Sequence, residues 1–216
     1  GGQQPVGPSP LVITGDEVHT PEGKKPYVTP REHSDQELPA IVEGFRLAAR
    51  HAMAAGFDGV EIHAAHGYLL AQFLSPLTNQ RSDQWGGSLT NRARLLIEVI
   101  KQVRAICGAD FDVAVKLNSA DFQRGGFTEE ASMEVIGLLG DEGIDLIEIS
   151  GGTYEQPAMI KGDRKKSTIE REAYFLDYIK KARKLIKTPL LLTGGFRSVS
   201  VMENALEEGH LDVVGL

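Results

Sequence analysis

The 216-residue chain is 41% hydrophobic and 25% charged, enough for one domain with a real core and unlike any disordered or fibrous class. A formal charge of −7 and a pI near 5.4 argue against a nucleic-acid or anionic-membrane surface, and the single cysteine, Cys107, excludes an internal disulfide framework. No apolar run approaches the roughly 20 residues of a membrane span, so the expectation is a cytoplasmic protein that acts on a small-molecule substrate, with homo-oligomerisation left open.

Residues 1–34 read as loop, with one short hairpin expected around Leu11 to Thr14. The chain opens Gly1-Gly2-Gln3-Gln4, without an initiator methionine or signal segment, and stops inside the apolar run Leu211–Leu216; both ends predict a piece of a longer protein. From residue 35 onward, helical and strand-like stretches alternate. Ile41, Phe45, Ala48, Ala52 and Ala55 recur at helical spacing behind Ser34 and Glu37 in capping-box order, while Pro39 argues for a slightly later start. Gly56 supplies the stop. The β-prone run Gly59-Val60-Glu61-Ile62-His63 follows, with Val60 and Ile62 on one face, and it delivers His63, His66 and Tyr68 at its carboxyl end and in the turn beyond.

The same grammar repeats. A helix from about Asn91 to Cys107, with Leu96, Val99, Val103 and Ile106 on one stripe, leads into a strand over Phe111–Asn118. Thr128 and two glutamates open a helix through Leu139, before a strand over Ile144–Ser150. A long helix through Tyr174, Tyr178, Ala182 and Leu185 feeds the strand Pro189–Gly195. Ser198 caps a last helix that ends near Glu208, and the final strand is the one that ends the chain.

Alternating strands and helices demand a parallel sheet. A doubly wound sheet would announce itself with a GxGxxG turn, and none occurs. Every strand instead ends in polar or glycine residues: His63, Lys116 and Asn118, Ser150 and Gly151, Thr193 and Gly194. That favours a (β/α)8 TIM barrel, whose reactive groups hang from the carboxyl ends of several strands. Five strands are countable, so the expected architecture is a single partial barrel domain over residues 1–216 holding about strands 4 to 8, with residues 35–216 as the repeated units.

Three features carry chemistry. His63, His66 and Tyr68 can converge on one ligand; the HxxH pair could equally be two structural histidines or half of a zinc site, although a third and fourth metal ligand are not evident and no metal is expected. Gly194 and Gly195 let backbone N–H groups approach a phosphate at a helix start, with Arg197 adding charge, or serve only as a turn that needs positive φ. Lys116 faces an anion or electron-rich group, or snorkels to solvent. Together they describe a phosphorylated, electron-accepting cofactor.

The stretch VEIHAAHGYLLAQFLSPLTNQRSDQWGGSLTNRARLLIEVIKQVR closely resembles the old yellow enzyme family of FMN-dependent NAD(P)H:flavin oxidoreductases, and the similarity continues through VAVKLNSADF, IEISGGTYEQPA and LLLTGGFRS. It covers nearly everything after residue 35, and the HAAHGYLLAQFLSP and RSDQWGGSLTNR blocks are highly specific. The resemblance implies bound FMN, reduced by NADH or NADPH, and an activated alkene as hydride acceptor. It makes His63 and His66 the donors to the substrate's carbonyl or nitro oxygen and Tyr68 the acid that protonates its α-carbon. It sets Lys116, where many members have arginine, near the flavin's pyrimidine edge, and Gly194, Gly195 and Phe196 in the phosphate loop. Arg81, Asp83, Trp85, Gly86, Gly87 and Arg92 match a signature that organises the loop and helix after the catalytic strand. Family members take further flavin contacts from their first three strands, so the alternative for this chain is an inactive barrel remnant. Cys107 alone cannot ligate an iron–sulfur cluster.

Overall fold

In a computed structural model that describes residues 4–12, 17–152 and 175–216, five parallel strands lie side by side in strict sequence order, with a helix described in each crossover. They are β5 (Gly59–Ala64), β6 (Asp112–Asn118), β7 (Leu146–Ser150), β8 (Leu190–Thr193) and β9 (Val213–Gly215). A doubly wound sheet must reverse its order at a switch point. This order never reverses, so the sheet is an arc of a (β/α)8 barrel, as the strand endings predict.

Register and pleat sort the strand residues. Val113, Val115 and Leu117 of β6 and Ile147 and Ile149 of β7 are wholly buried beneath the helices, while Lys116 and Glu148, paired across β6 and β7, face the concave side. At this rung the concave face is polar and the outer one apolar.

The helices begin where short polar side chains can satisfy their first N–H groups. In α3 (Leu89–Cys107), Ser88 Oγ accepts from the Asn91 N–H at 3.3 Å; in α4 (Glu129–Asp141), Thr128 Oγ1 accepts from Ala131 at 3.2 Å. Helix α1 (Leu38–Ala54) starts just after the expected box: Glu37 still accepts the Ser34 N–H at 2.9 Å, but Pro39 takes its tolerated place in the first turn. Its inward stripe is Leu38, Ile41, Phe45, Ala49 and Ala52, and Ala48 and Ala55 are exposed, one register step from the expectation.

Four further differences are local. The short helix α2 (Leu69–Leu74) follows the turn after β5 and is too brief to show a helical period. The amino-terminal hairpin pairs β2 (Glu17–Thr20) with β3 (Gly23–Pro26), rather than lying around Leu11 to Thr14, part of which is outside the described residues. The Thr20-Pro21-Glu22-Gly23 sequence explains the shift, with proline presetting the bend and Thr20 Oγ1 donating to Gly23 O at 2.7 Å. Helix α5 spans Leu176–Ala182, short of Leu185, and Tyr174 lies outside the described residues. Helix α6 (Val199–Glu207) has Ser198 in the N-cap position, but its side chain makes no capping hydrogen bond. Two-residue strands β1 (Val6–Gly7) and β4 (Arg31–Glu32) pair in parallel beside the barrel. Among the described residues, no helix is long and apolar enough to cross a membrane.

Candidate active site

Strand β5 ends at Ala64, and the chain reverses through Ala65-His66-Gly67-Tyr68, closed by the Tyr68 N–H to Ala65 O at 3.2 Å. Both central residues have positive φ, 59° at His66 and 76° at Gly67, the conformation of a type I′ turn. A left-handed histidine is strained, and the surroundings hold it there. Its N–H donates to Asn118 Oδ1 at 3.1 Å, and Gln72 Nε2 braces Gly67 O at 2.8 Å from α2.

That strained turn gathers the three predicted side chains. The His63 and His66 rings meet edge to face with centroids 5.4 Å apart, and His63 and Tyr68 are 5.0 Å apart at a 54° tilt. Tyr68 is half exposed, whereas both histidines are partly buried. Burial, with the Lys116 charge second, pushes His66 down to about 4 and His63 below its usual range. At neutral pH both rings are therefore uncharged, and each has one N–H to donate. Among the described residues neither His63 nitrogen has a hydrogen-bond partner, and His66 spends one nitrogen on Ser150 Oγ at 2.7 Å.

Lys116 lies directly across the β5–β6 ladder from His63. It does not snorkel to solvent: its Nζ donates to Glu148 Oε1 at 2.5 Å, and Thr193 Oγ1 donates to the same oxygen at 2.6 Å. Burial alone would raise the Glu148 carboxyl, but these two bonds, a third with Glu61 and the Lys116 charge outweigh it and hold the group below its usual range. Glu148 escaped the sequence reading, although a lone carboxylate inside the apolar run Ile147-Glu148-Ile149, at the rung facing Lys116, was a usable signal.

The Lys116–Glu148–Thr193 chain leads to Gly194. Gly194 and Gly195 have φ of 130° and 82°, so the conformation that the turn reading required is present at the head of β8, ahead of α6. Phe196 buries its ring in the core, which leaves only its main chain to a ligand. These residues suit a phosphorylated ring cofactor: a glycine turn free of side chains at one end, a cation on the concave face at the other.

The RSDQWGGSLTNR block does structural work. Arg81 is buried and donates to His33 O at 2.6 Å and Asp35 Oδ1 at 2.7 Å, and it also binds Asp83 and Glu32, so it clamps the amino-terminal segment to the loop after α2. Asp83 accepts the Trp85 N–H at 2.9 Å, and Arg92 donates to Leu74 O at 2.8 Å. Gly86 has to be glycine because a Cβ would sit 2.4 Å from Arg81 O. A cavity of about 340 Å³ lined by Val6, Leu11, Val18, Tyr27 and Ala71 meets the turn only at Gly67. None of His63, His66 and Tyr68 lines it.

Comparison with known proteins agrees with this architecture. A family model described as the NADH:flavin oxidoreductase / NADH oxidase family matches residues 2–216. NADH-dependent flavin oxidoreductase iccE of Talaromyces variabilis is 46% identical over 195 residues, covering 88% of this chain and 47% of that protein; NADH oxidase of Thermoanaerobacter brockii is 31% identical, covering 100% and 31%. Among solved structures, the old yellow enzyme homologue from Zymomonas mobilis superposes with a TM-score of 0.79 at 32% identity, covering 100% of this chain and 57% of that one. Morphinone reductase in complex with tetrahydroNAD superposes with a TM-score of 0.79 at 30% identity, covering 100% and 56%. The chain thus spans about half the length, or less, of the relatives it matches.

Proposed function

The chain belongs to the NADH:flavin oxidoreductase / NADH oxidase family, and from that premise we propose that the full-length protein is an FMN-dependent oxidoreductase that reduces an activated alkene, an α,β-unsaturated carbonyl or nitroalkene, with NADH or NADPH. The observation that carries this reading is the convergence of His66 and Tyr68 on His63, their ring centroids 5.4 and 5.0 Å from its own, at the barrel mouth. Bound FMN would supply the hydride-transfer chemistry, with Gly194, Gly195 and the Phe196 main chain around its phosphate and Lys116 by its ring.

The chain's own groups account for the rest. Negative charge builds on the substrate's carbonyl or nitro oxygen as the β-carbon is reduced. Two neutral imidazole N–H groups aimed at that oxygen stabilise the transition state more than the ground state. Neutral rings suit the task because they donate without presenting a charge that the half-buried site would have to solvate. Tyr68, nearest the opening, completes the reaction by giving its phenolic proton to the α-carbon. Lys116 shares its charge with Glu148, so the pair presents a partly neutralised cation to whatever lies on the concave face.

The test is direct. Full-length protein purified with FMN is expected to be yellow, to bleach under NADH or NADPH, and to recover its colour on adding 2-cyclohexenone. A protein that takes up no FMN, or that bleaches and never reoxidises with any enone or nitroalkene, contradicts the proposal.

A further inference from the structure

Beside Lys116 and Glu148 stands a second carboxyl that the proposed reduction leaves unused. His63, Lys116 and Glu148 lie across from one another on three successive strands, and Glu61 precedes His63 by two residues on the same face of β5. Glu148 is buried, Lys116 is partly so, and Glu61 lies at the exposed edge of the described sheet. Glu148 Oε1 is taken twice, by Lys116 Nζ at 2.5 Å and by Thr193 Oγ1 at 2.6 Å. The same carboxyl group also shares a hydrogen bond with Glu61. Pleat puts one further ionisable side chain of the described strands on this face, Asp112, opposite Gly59 at the far end of β6. The charged groups that act on Glu61 are Glu148 and Lys116.

We propose that Glu61 and Glu148 share one proton, and that this proton sets how much of Lys116's positive charge is offered to a ligand on the concave face. What that ligand is rests on the proposed reduction; the pair itself does not. Two carboxylates are both acceptors, so a hydrogen bond between them exists only while one of them holds a proton. Glu148 is the poorer holder, because the ammonium and the hydroxyl both favour its charged form. Among the described residues Glu61 has neither, and it carries the proton. Partial desolvation, and then the neighbouring carboxyl, push Glu61 up to about 7, with Lys116 pulling the other way. With the proton in place the cluster holds one ammonium and one carboxylate and is neutral. Without it a second carboxylate faces the same ammonium, and the cluster is an anion. The protonated pair therefore leaves Lys116 freer to attract negative charge. By reciprocity, negative charge arising beside Lys116 tightens the pair's hold on its proton.

Glu61→Gln keeps the shape and a donor for Glu148 but cannot titrate, so it stands in for the protonated pair and the fold should survive. In full-length protein labelled with 13C at the glutamate carboxyls, NMR is expected to show one glutamate titrating near pH 7, well above the ordinary range. That signal should vanish in Glu61→Gln and return to the ordinary range in Glu148→Gln. In the FMN-loaded protein, the midpoint potential is expected to fall more steeply between about pH 5.5 and 8.5 in the wild type than in Glu61→Gln, the two agreeing at the acid end. A wild type in which every glutamate titrates in the ordinary range would overturn the shared proton, and parallel potential curves would overturn its hold on Lys116. The NMR titration needs no flavin, so a glutamate titrating near pH 7 in a protein that takes up no FMN would sink the proposed reaction and leave the pair standing.

Discussion

Two buried polar clusters flank the barrel mouth, and they differ in what they leave unspent. Around Arg81 the nitrogens of the guanidinium are all engaged by Pro8, His33, Glu32, Asp35 and Asp83. Around His66 the bonds to Asn118 and Ser150 fix the ring and leave Nδ1, together with both nitrogens of His63, unengaged among the described residues. A saturated network rigidifies, whereas one that is fixed yet incomplete is prepared for a ligand. Both motifs are equally specific in sequence; only the bond inventory separates a clamp from a candidate reaction site.

The sharpest way to break this contrast is at Tyr68. Tyr68→Phe should slow alkene reduction by on the order of 10²–10⁴-fold while reduction by NADH stays within two-fold, as stopped-flow traces of the two half-reactions would reveal; equal losses in both would remove its role as proton donor. His63→Ala comes next. Losing one donor to the developing oxyanion should cost about 10²-fold in alkene reduction and weaken phenol binding measurably in a spectral titration.

Arg81→Met should behave oppositely. Removing a buried cation with three carboxylate partners should cost about 3 kcal/mol of stability in urea, with little change in turnover per folded molecule. If Arg81→Met abolished turnover in fully folded protein, the division between clamp and site would fail.

A smaller effect separates the clusters by pH. His66 is pushed down to about 4, so the unfolded chain takes up its proton first and the native state loses stability as pH falls from about 6.5 toward 4. The loss should be roughly 1–3 kcal/mol and should shrink in His66→Asn, measured by urea unfolding at pH 7 and pH 4.5. The smallest expected change is Thr128→Ala, about 1 kcal/mol for one lost, solvent-exposed helix cap, with turnover untouched.

Much of this was legible without coordinates. Alternating helical and strand periods gave the parallel sheet, polar strand ends gave the barrel, and the alternation of β5 placed His63 at the rim, because pleat and helical pitch are properties of consecutive residues. The HxxH pair and the glycine pair were visible for the same reason. Glu148, Asn118 and Ser150 were not assigned, since nothing in their local sequence says that they meet Lys116 and His66 from 32 and more residues away. Helix α2 was invisible because six residues do not complete a second turn.

The sequence by itself therefore determined the order of elements and the candidate reactive side chains, both of which follow from short-range periodicity and residue chemistry. Tertiary structure alone decided the strained His66 turn, the partner that takes Lys116's charge and the serine that meets the His66 ring. Those depend on which rungs of separate strands align, and register is fixed only when the whole sheet packs.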